Sequence, residues 1–438
     1  MSYDALQPDA YAEHLGEVNT AKDVIVAEDI HNAKGMLIAK KGQHVSHETV
    51  QKIIQFKLIK PLEESIDIAD GLTPEKIMED IRGLFKDENS RAMNERLQLG
   101  AEIRRGLKVF DRFPILRQKL TVLAMQMPNE YEKSLMVAWY GLLIAHKLNL
   151  LPAERDELFV AALMHDIGML HIDRQVTSKS GQLSAEEWRA MQGHVAIGNA
   201  IMRQTPGMPP GSIRAVLEHH EIADGTGYLS GRGGDELSVM GQLLGVTDAM
   251  CAVLIKWKSQ GRSARDLVPI LRVNSYIYHR GVCSAFIQVL RDLNLREVGL
   301  VGDAEIDAFA GDIVRDHKSL CDYASRAAEL LGLIPRASLE RIAVKAVFVV
   351  HKHLNSIIDS SGMLDEGYSP WLRKVASEGQ GKHYRDVEDM RLMLDELRWQ
   401  LVKLTRLLRS VEQDPNAMSP EELRVFKEKL DSLPNLTN

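Results

Sequence analysis

The feature that most constrains this chain is an apolar run that ends on two metal-competent side chains. Phe159-Val160-Ala161-Ala162-Leu163-Met164 leads directly into His165-Asp166, and Ile167-Gly168-Met169-Leu170 follows. Polar groups at the end of a buried apolar helix are costly unless something satisfies them. A neutral imidazole beside a carboxylate is a ready ligand pair for a divalent cation, and Gly168 lets the backbone turn away. Further candidates follow downstream: His194 in Gln192–Gly198, His219-His220 in Val216–Glu221, and Asp248 in Leu244–Met250. Each lies at the end of, or within, an apolar helical segment. His165, Asp166, His194, His219, His220 and Asp248 are of only two residue types and fall on four segments, a pattern that points to one converging metal pocket.

These residues, in this order, resemble the metal signature of the HD superfamily of phosphohydrolases. His219-His220-Glu221-Ile222-Ala223-Asp224-Gly225-Thr226-Gly227-Tyr228 resembles the second motif of the HD-GYP subfamily, and Lys179–Glu187 resembles the segment between its first two motifs. The similarity is clear over about residues 128–260 and extends helically to about 330. It implies an all-helical hydrolase that uses iron or manganese, with zinc also compatible, to open cyclic di-GMP or a related cyclic dinucleotide. Gly227 and Tyr228 would border the ligand pocket, Tyr228 stacking on guanine. Lys256 and Arg262 are the candidates for the phosphate-holding cations that the family places after this aspartate.

The chain also departs from the family pattern. Asn129 and Lys133 stand where a glutamate and a histidine are usual, Met169 where a lysine is, and Leu229 where a proline is. A protonated lysine has three donors and no lone pair, so Lys133 cannot ligate; its charge can instead replace part of a missing cation. Asp166, His194, His219 and His220 form one complete set. His165, Asp166 and Asp248 form a second set that lacks a ligand, so one or two ions are expected. Asp166 is the expected bridge, with Lys133 and Glu221 beside it in the catalytic machinery, and Glu221 and Asp224 as groups that orient imidazoles. The expected function is a metal-dependent phosphodiesterase of impaired activity. The alternative is a degenerate nucleotide-binding or protein-interaction module in signalling.

The expected fold is mainly α, an HD-type helical bundle with a small N-terminal α+β module and a C-terminal helical appendage. The expected segments are 1–70, a β-rich adaptor; 71–127, a helical linker; 128–334, the metal domain; and 335–438, the appendage. Strands are expected near Val24–Ala27, Met36–Ala39 and Leu58–Leu62, the last at an edge because of Pro61. Ser46, Thr73-Pro74 and Ser184-Ala185-Glu186-Glu187 read as helix starts, and Asp248 as the opening of a helix. Val387, Met390, Leu394, Leu397, Leu401, Leu404 and Leu408 step by three and four as a heptad seam, the basis for an expected homodimer through 387–408, with an intramolecular hairpin as the other reading. A net charge of −7 over 438 residues argues against general nucleic-acid binding. Met1–Ala5 has neither the basic nor the apolar part of a signal peptide, apolar runs such as Ala346–Val350 are far short of a membrane span, and three scattered cysteines suit a reduced, cytoplasmic setting.

Overall fold

Several helices begin where the sequence offers a cap, Ser46, Thr73, Asp87, Ser184 and Ser419 among them. The computed structural model describes residues 9–434 and 436, apart from 182, 296–298, 363, 366 and 380; the Met1–Ala5 start and Gln182 of the Lys179–Glu187 segment lie outside the described residues. Its contacts form two compact units. The first runs to Ile222 and includes Gly227–Gly231 and Asp235–Lys256; the second holds Ala223–Thr226, Arg232–Gly234 and the chain from Trp257 on. This partition differs from the four segments expected above. The N-terminal module, the helices after it and the expected ligands share one unit, because α1 and α6 pack on the turn that follows His165-Asp166.

In the first unit, α1 (Asp9–Val18) precedes β1 (Val24–Val26), β2 (Ile30–His31), β3 (Leu37–Ala39), α2 (His47–Ile54) and β4 (Ile66–Ile68). The strands pair differently from a simple hairpin of the two apolar runs. β1 lies antiparallel to β4, with Val24 opposite Ile68, and β2 lies antiparallel to β3. Asn32 makes the β2–β3 turn, its buried Oδ1 accepting from the amides of Lys34 and Met36. The expected edge strand at Leu58–Leu62 is not one. Leu58 makes a single bridge to Asn32, and Leu62–Glu64 is a 3-10 turn that directs Glu63 inward. Ser46 caps α2 as its sequence indicates.

The helices that follow are α3 (Pro74–Leu84), α4 (Glu88–Arg96), α5 (Leu99–Phe110), α6 (Pro114–Gln126), α7 (Pro128–Lys147), α8 (Pro152–Met164), α9 (Arg174–Thr177), α10 (Ala185–Gln204), α11 (Pro210–Glu218) and α12 (Val239–Trp257). Five of these begin with proline, whose missing N–H costs nothing at a first helical position. α7 is buried from Ser134 to Ala145 on all sides, as a central helix must be. α12 is long and apolar enough to cross a membrane, yet Leu243, Leu244, Val246, Met250 and Cys251 are buried within the protein.

In the second unit are α13 (Leu267–Asn274), α14 (Arg280–Asp292), α15 (Ile306–Gly332), α16 (Ile342–Ser361), α17 (Tyr368–Ser377), α18 (Tyr384–Glu412) and α19 (Pro420–Asp431). The heptad seam lies on α18, and all seven of its residues are buried against this unit's own helices, α13, α15 and α16 among them. The seam is therefore covered within the chain. The homodimer expected through 387–408 has no free apolar stripe there, because the hairpin reading of the same residues prevails.

One buried charge fastens α1 and the 3-10 turn at Glu63 to the helical part of the first unit. Lys119 on α6 is fully buried; its Nζ lies 3.0 Å from Glu63 Oε1, 3.0 Å from His171 Nε2 and 3.8 Å from the centre of the Tyr11 ring. Burial, and next the Lys119 ammonium, hold His171 well below the usual histidine range, so its ring nitrogen accepts from the lysine. Removing one partner of a buried pair leaves the other charge unmet. Lys119→Met is expected to lower unfolding stability by about 3–5 kcal/mol in denaturant titrations, and Lys119→Met with Glu63→Leu is expected to recover most of that loss.

Candidate metal centre

The arrangement is built by three histidines at corresponding places in their helical turns. His165 closes α8, His194 lies within α10 and His219 closes α11. In each, Nδ1 meets the carbonyl oxygen three residues back: Ala162 at 2.8 Å, Met191 at 2.6 Å and Val216 at 2.7 Å. A carbonyl only accepts, so each Nδ1 carries the proton and each Nε2 is left to face the interior.

Asp166 stands between two groups. Its Oδ1 is 3.4 Å from His194 Nε2 and 3.9 Å from His219 Nε2; its Oδ2 is 3.1 Å from His165 Nε2 and 2.6 Å from Lys133 Nζ. The Nε2 atoms of His194 and His219 are buried without a hydrogen bond. His220 packs against His219 with ring centres 4.1 Å apart. Ligand atoms of Asp166, His194, His219 and His220 all lie within 4.8 Å of one another, and so do those of His165, Asp166 and Asp248. Burial holds His219 well below the ordinary histidine pKa and pushes His220 down to about 3, so both are neutral and able to ligate. Orphaned imidazole lone pairs converging with a carboxylate oxygen fit a divalent transition ion, and nitrogen-rich ligation disfavours magnesium.

The second group already holds positive charge. Lys133 Nζ lies 3.0 Å from Asp248 Oδ1 and 3.0 Å from Glu130 Oε2, in addition to Asp166. Burial opposes the charge on Lys133, but Asp166, Asp248 and Glu130 outweigh it and hold the ammonium well above its usual range. His165 Nε2 is 3.1 Å from Asp248 Oδ1. Burial lowers its pKa too, yet Asp166 and Asp248 raise it to about 10.

Main-chain contact sets these distances. A Cβ at Gly168 would overlap the carbonyl of His194, and one at Gly245 would overlap the carbonyl of His219. Gly245 thus lets α12 lie against the end of α11 and carry Asp248 to the centre. Asp248 is in the middle of α12, not at its opening: Gly241 and Gly245 serve close packing rather than ending the helix.

Other expected site residues fall at various distances from the cluster. Tyr228 stacks on His220, with ring centres 4.7 Å apart and planes at 21°, and its amide donates to the His220 carbonyl. Gly227 is pressed against the backbone of residues 220–222. Glu221 is buried, and its Oε1 accepts from the Ser230 amide at 2.6 Å, so it holds the 227–231 loop. Asp224 belongs to the second unit, where its carboxylate accepts from Thr226 and lies 3.4 Å from His353 Nδ1; Lys403 in turn donates to Thr226. Lys256 is exposed, eight residues or about 12 Å beyond Asp248 along α12. Arg262, in the second unit, lies over the Trp257 ring and 3.9 Å from Asp266. Lys256 thus stands about two turns beyond Asp248 on its own helix, and Arg262 is engaged with Trp257 and Asp266 within the second unit.

The structure adds two residues to those expected. Glu130, one helical turn before Lys133, completes the lysine's acceptors. Trp188 of α10, half exposed, stands edge-on to Tyr228 with ring centres 6.0 Å apart; an exposed tryptophan at a helix start was the available signal. A cavity of about 330 Å³ lies beside Asn129, Glu130 and Met169, with His14 and Arg174 also in its wall.

The family model described as HD domain matches residues 117–270. A 3'3'-cGAMP-specific phosphodiesterase 3 of Vibrio cholerae serotype O1 is 38% identical over 134 residues, 31% of this chain and 28% of that protein. A 3'3'-cGAMP-specific phosphodiesterase 2 of the same organism is 32% identical over 118 residues, 27% of this chain and 23% of that protein. A cyclic di-GMP phosphodiesterase of Thermotoga maritima is 27% identical over 161 residues, 36% of this chain and 44% of that protein. In each case the match spans less than half of the relative's length.

Gly168→Ala is expected to displace His194 and to weaken manganese binding roughly 10–100-fold, the range seen when support around a ligand is lost. Titration calorimetry with manganese checks this.

Proposed function

Because the chain carries an HD domain of the HD-GYP subfamily, we propose that it is a metal-dependent phosphodiesterase acting on a cyclic dinucleotide. The observation that carries this reading is the pair of buried Nε2 atoms of His194 and His219, without a hydrogen bond and facing Asp166 Oδ1 with His220 beside them. Asp166, His194, His219 and His220 would hold the ion, with iron or manganese the best fit and zinc compatible. A bound divalent ion supplies a Lewis acid for a phosphoryl oxygen and makes water acidic enough to attack near neutral pH.

The chain's own residues position the substrate. Tyr228, backed by His220 and edged by Trp188, offers an aromatic surface for a purine base at the rim of the ligand set. Glu221 fixes the loop that carries this tyrosine. Asp166 spans the two groups of ligands, so charge at either is felt at the other.

A second reading is favoured by Lys133, whose ammonium lies among the carboxylates of the second group. On that reading the domain binds nucleotide without turning it over, or turns it over weakly.

Incubating the purified protein with manganese or ferrous iron and either cyclic di-GMP or 3'3'-cGAMP is expected to yield linear dinucleotide by chromatography and mass spectrometry, and His219→Ala is expected to abolish it. Tyr228→Ala is expected to weaken nucleotide binding by about 1–3 kcal/mol, the worth of one base–aromatic stack, or roughly 5–150-fold. Nucleotide binding with no linear product would select the second reading.

A further inference from the structure

We infer that Lys133 takes the place of a second metal ion: its ammonium is held by the carboxylates that would otherwise grip that ion, so the site loads with a single divalent cation. The inference rests on the metal pocket of the proposed function and not on turnover. It is carried by geometry. His165, Asp166 and Asp248 place their ligand atoms together as a second candidate set. Within that set, Asp166 Oδ2 and Asp248 Oδ1 are the oxygens that face His165 Nε2, each at 3.1 Å. The same two oxygens receive Lys133 Nζ at 2.6 Å and 3.0 Å. Glu130 Oε2 is the third acceptor, at 3.0 Å. An ammonium has three donors, and oxygens of three carboxylates lie within 3.0 Å of this one.

An ion in this set would need the same two oxygens at about 2.0–2.2 Å, next to a positive nitrogen already bound to both. Admitting it requires expelling Lys133, whose side chain is only 14% exposed, from Asp166, Asp248 and Glu130. Lysine cannot share the ion, because a protonated amine has no lone pair. The other set is untouched. Asp166 Oδ1, His194, His219 and His220 are not among the ion pairs of Lys133, and the Nε2 atoms of His194 and His219 are buried without a hydrogen bond. The lysine therefore supplies one fixed positive charge beside Asp166 but neither a Lewis acid nor an acidified water. Phosphoryl chemistry at this centre has one ion's worth of activation.

The test is a count of metal. The full-length protein is stripped of metal, reloaded with manganese, desalted and measured by elemental analysis, with electron paramagnetic resonance on the same samples. One manganese per chain and an isolated-ion spectrum are expected. Lys133→Met and Lys133→Gln, checked for folding by circular dichroism, are expected to take up a second ion and to show an exchange-coupled pair. Two ions in the unmodified protein would overturn the inference, as would one ion in both folded variants. No ion at all would remove the four-ligand pocket and the inference with it. If neither variant folds, the count and spectrum of the unmodified protein decide the matter alone. One ion with no hydrolysis of either nucleotide would remove the proposed activity and leave the role of Lys133 standing.

Discussion

The hydrogen bond from each imidazole Nδ1 to the carbonyl three residues back is the interaction on which the centre depends. Ala162, Met191 and Val216 donate nothing of their own chemistry; only their main-chain oxygens are used. Each bond fixes a ring direction, so the three Nε2 atoms face inward before any ion arrives. A ring free to rotate would have to be ordered on binding, at an entropic cost that these bonds have already met during folding. Burial then keeps His219 and His220 neutral.

The turn at Ile167–His171, directly after His165-Asp166, is held from two sides. Gly168 lies against the backbone of α10, which brings His194 close. At the other end His171 accepts from Lys119 and stacks on Tyr11, with ring centres 5.1 Å apart. The N-terminal helix α1 is therefore part of the support of the candidate ligands rather than a separate attachment. Lys119 and Lys133 solve the same physical problem. Each is a lysine removed from water, and each is met by carboxylate from a different turn or helix. A buried charge of this kind is a poor source of net stability but tightly specifies which elements must come together.

Much of the centre was legible in the sequence because ligand chemistry is local. His165-Asp166, His194, His219-His220 and Asp248 each announce themselves as polar residues in apolar surroundings, and the structure gathers their ligand atoms into two sets. Caps were legible for the same reason: Ser46, Thr73 and Ser184 bond amides three residues on. What depended on distant partners was not. β1 pairs with β4, more than forty residues away, and nothing near Val24 states that. Asp248 lies in the middle of its helix rather than at its opening because Gly241 and Gly245 let the preceding turns of α12 pack against the end of α11. The seam on α18 has the same spacing whether its partner is another chain or α16 of its own, and only the packed structure separates the two. Glu130 could not be recognised as a partner of Lys133 until the lysine's direction was known.

The use of main-chain oxygens to aim the imidazoles has a consequence for how such a protein changes over generations. A backbone carbonyl cannot be mutated away, so drift among neighbouring side chains leaves the aim of His165, His194 and His219 intact. The capacity to hold a cation and the capacity to use it can then be lost independently. A lineage could abandon chemistry at this centre while retaining the ion as a fixture of its interior.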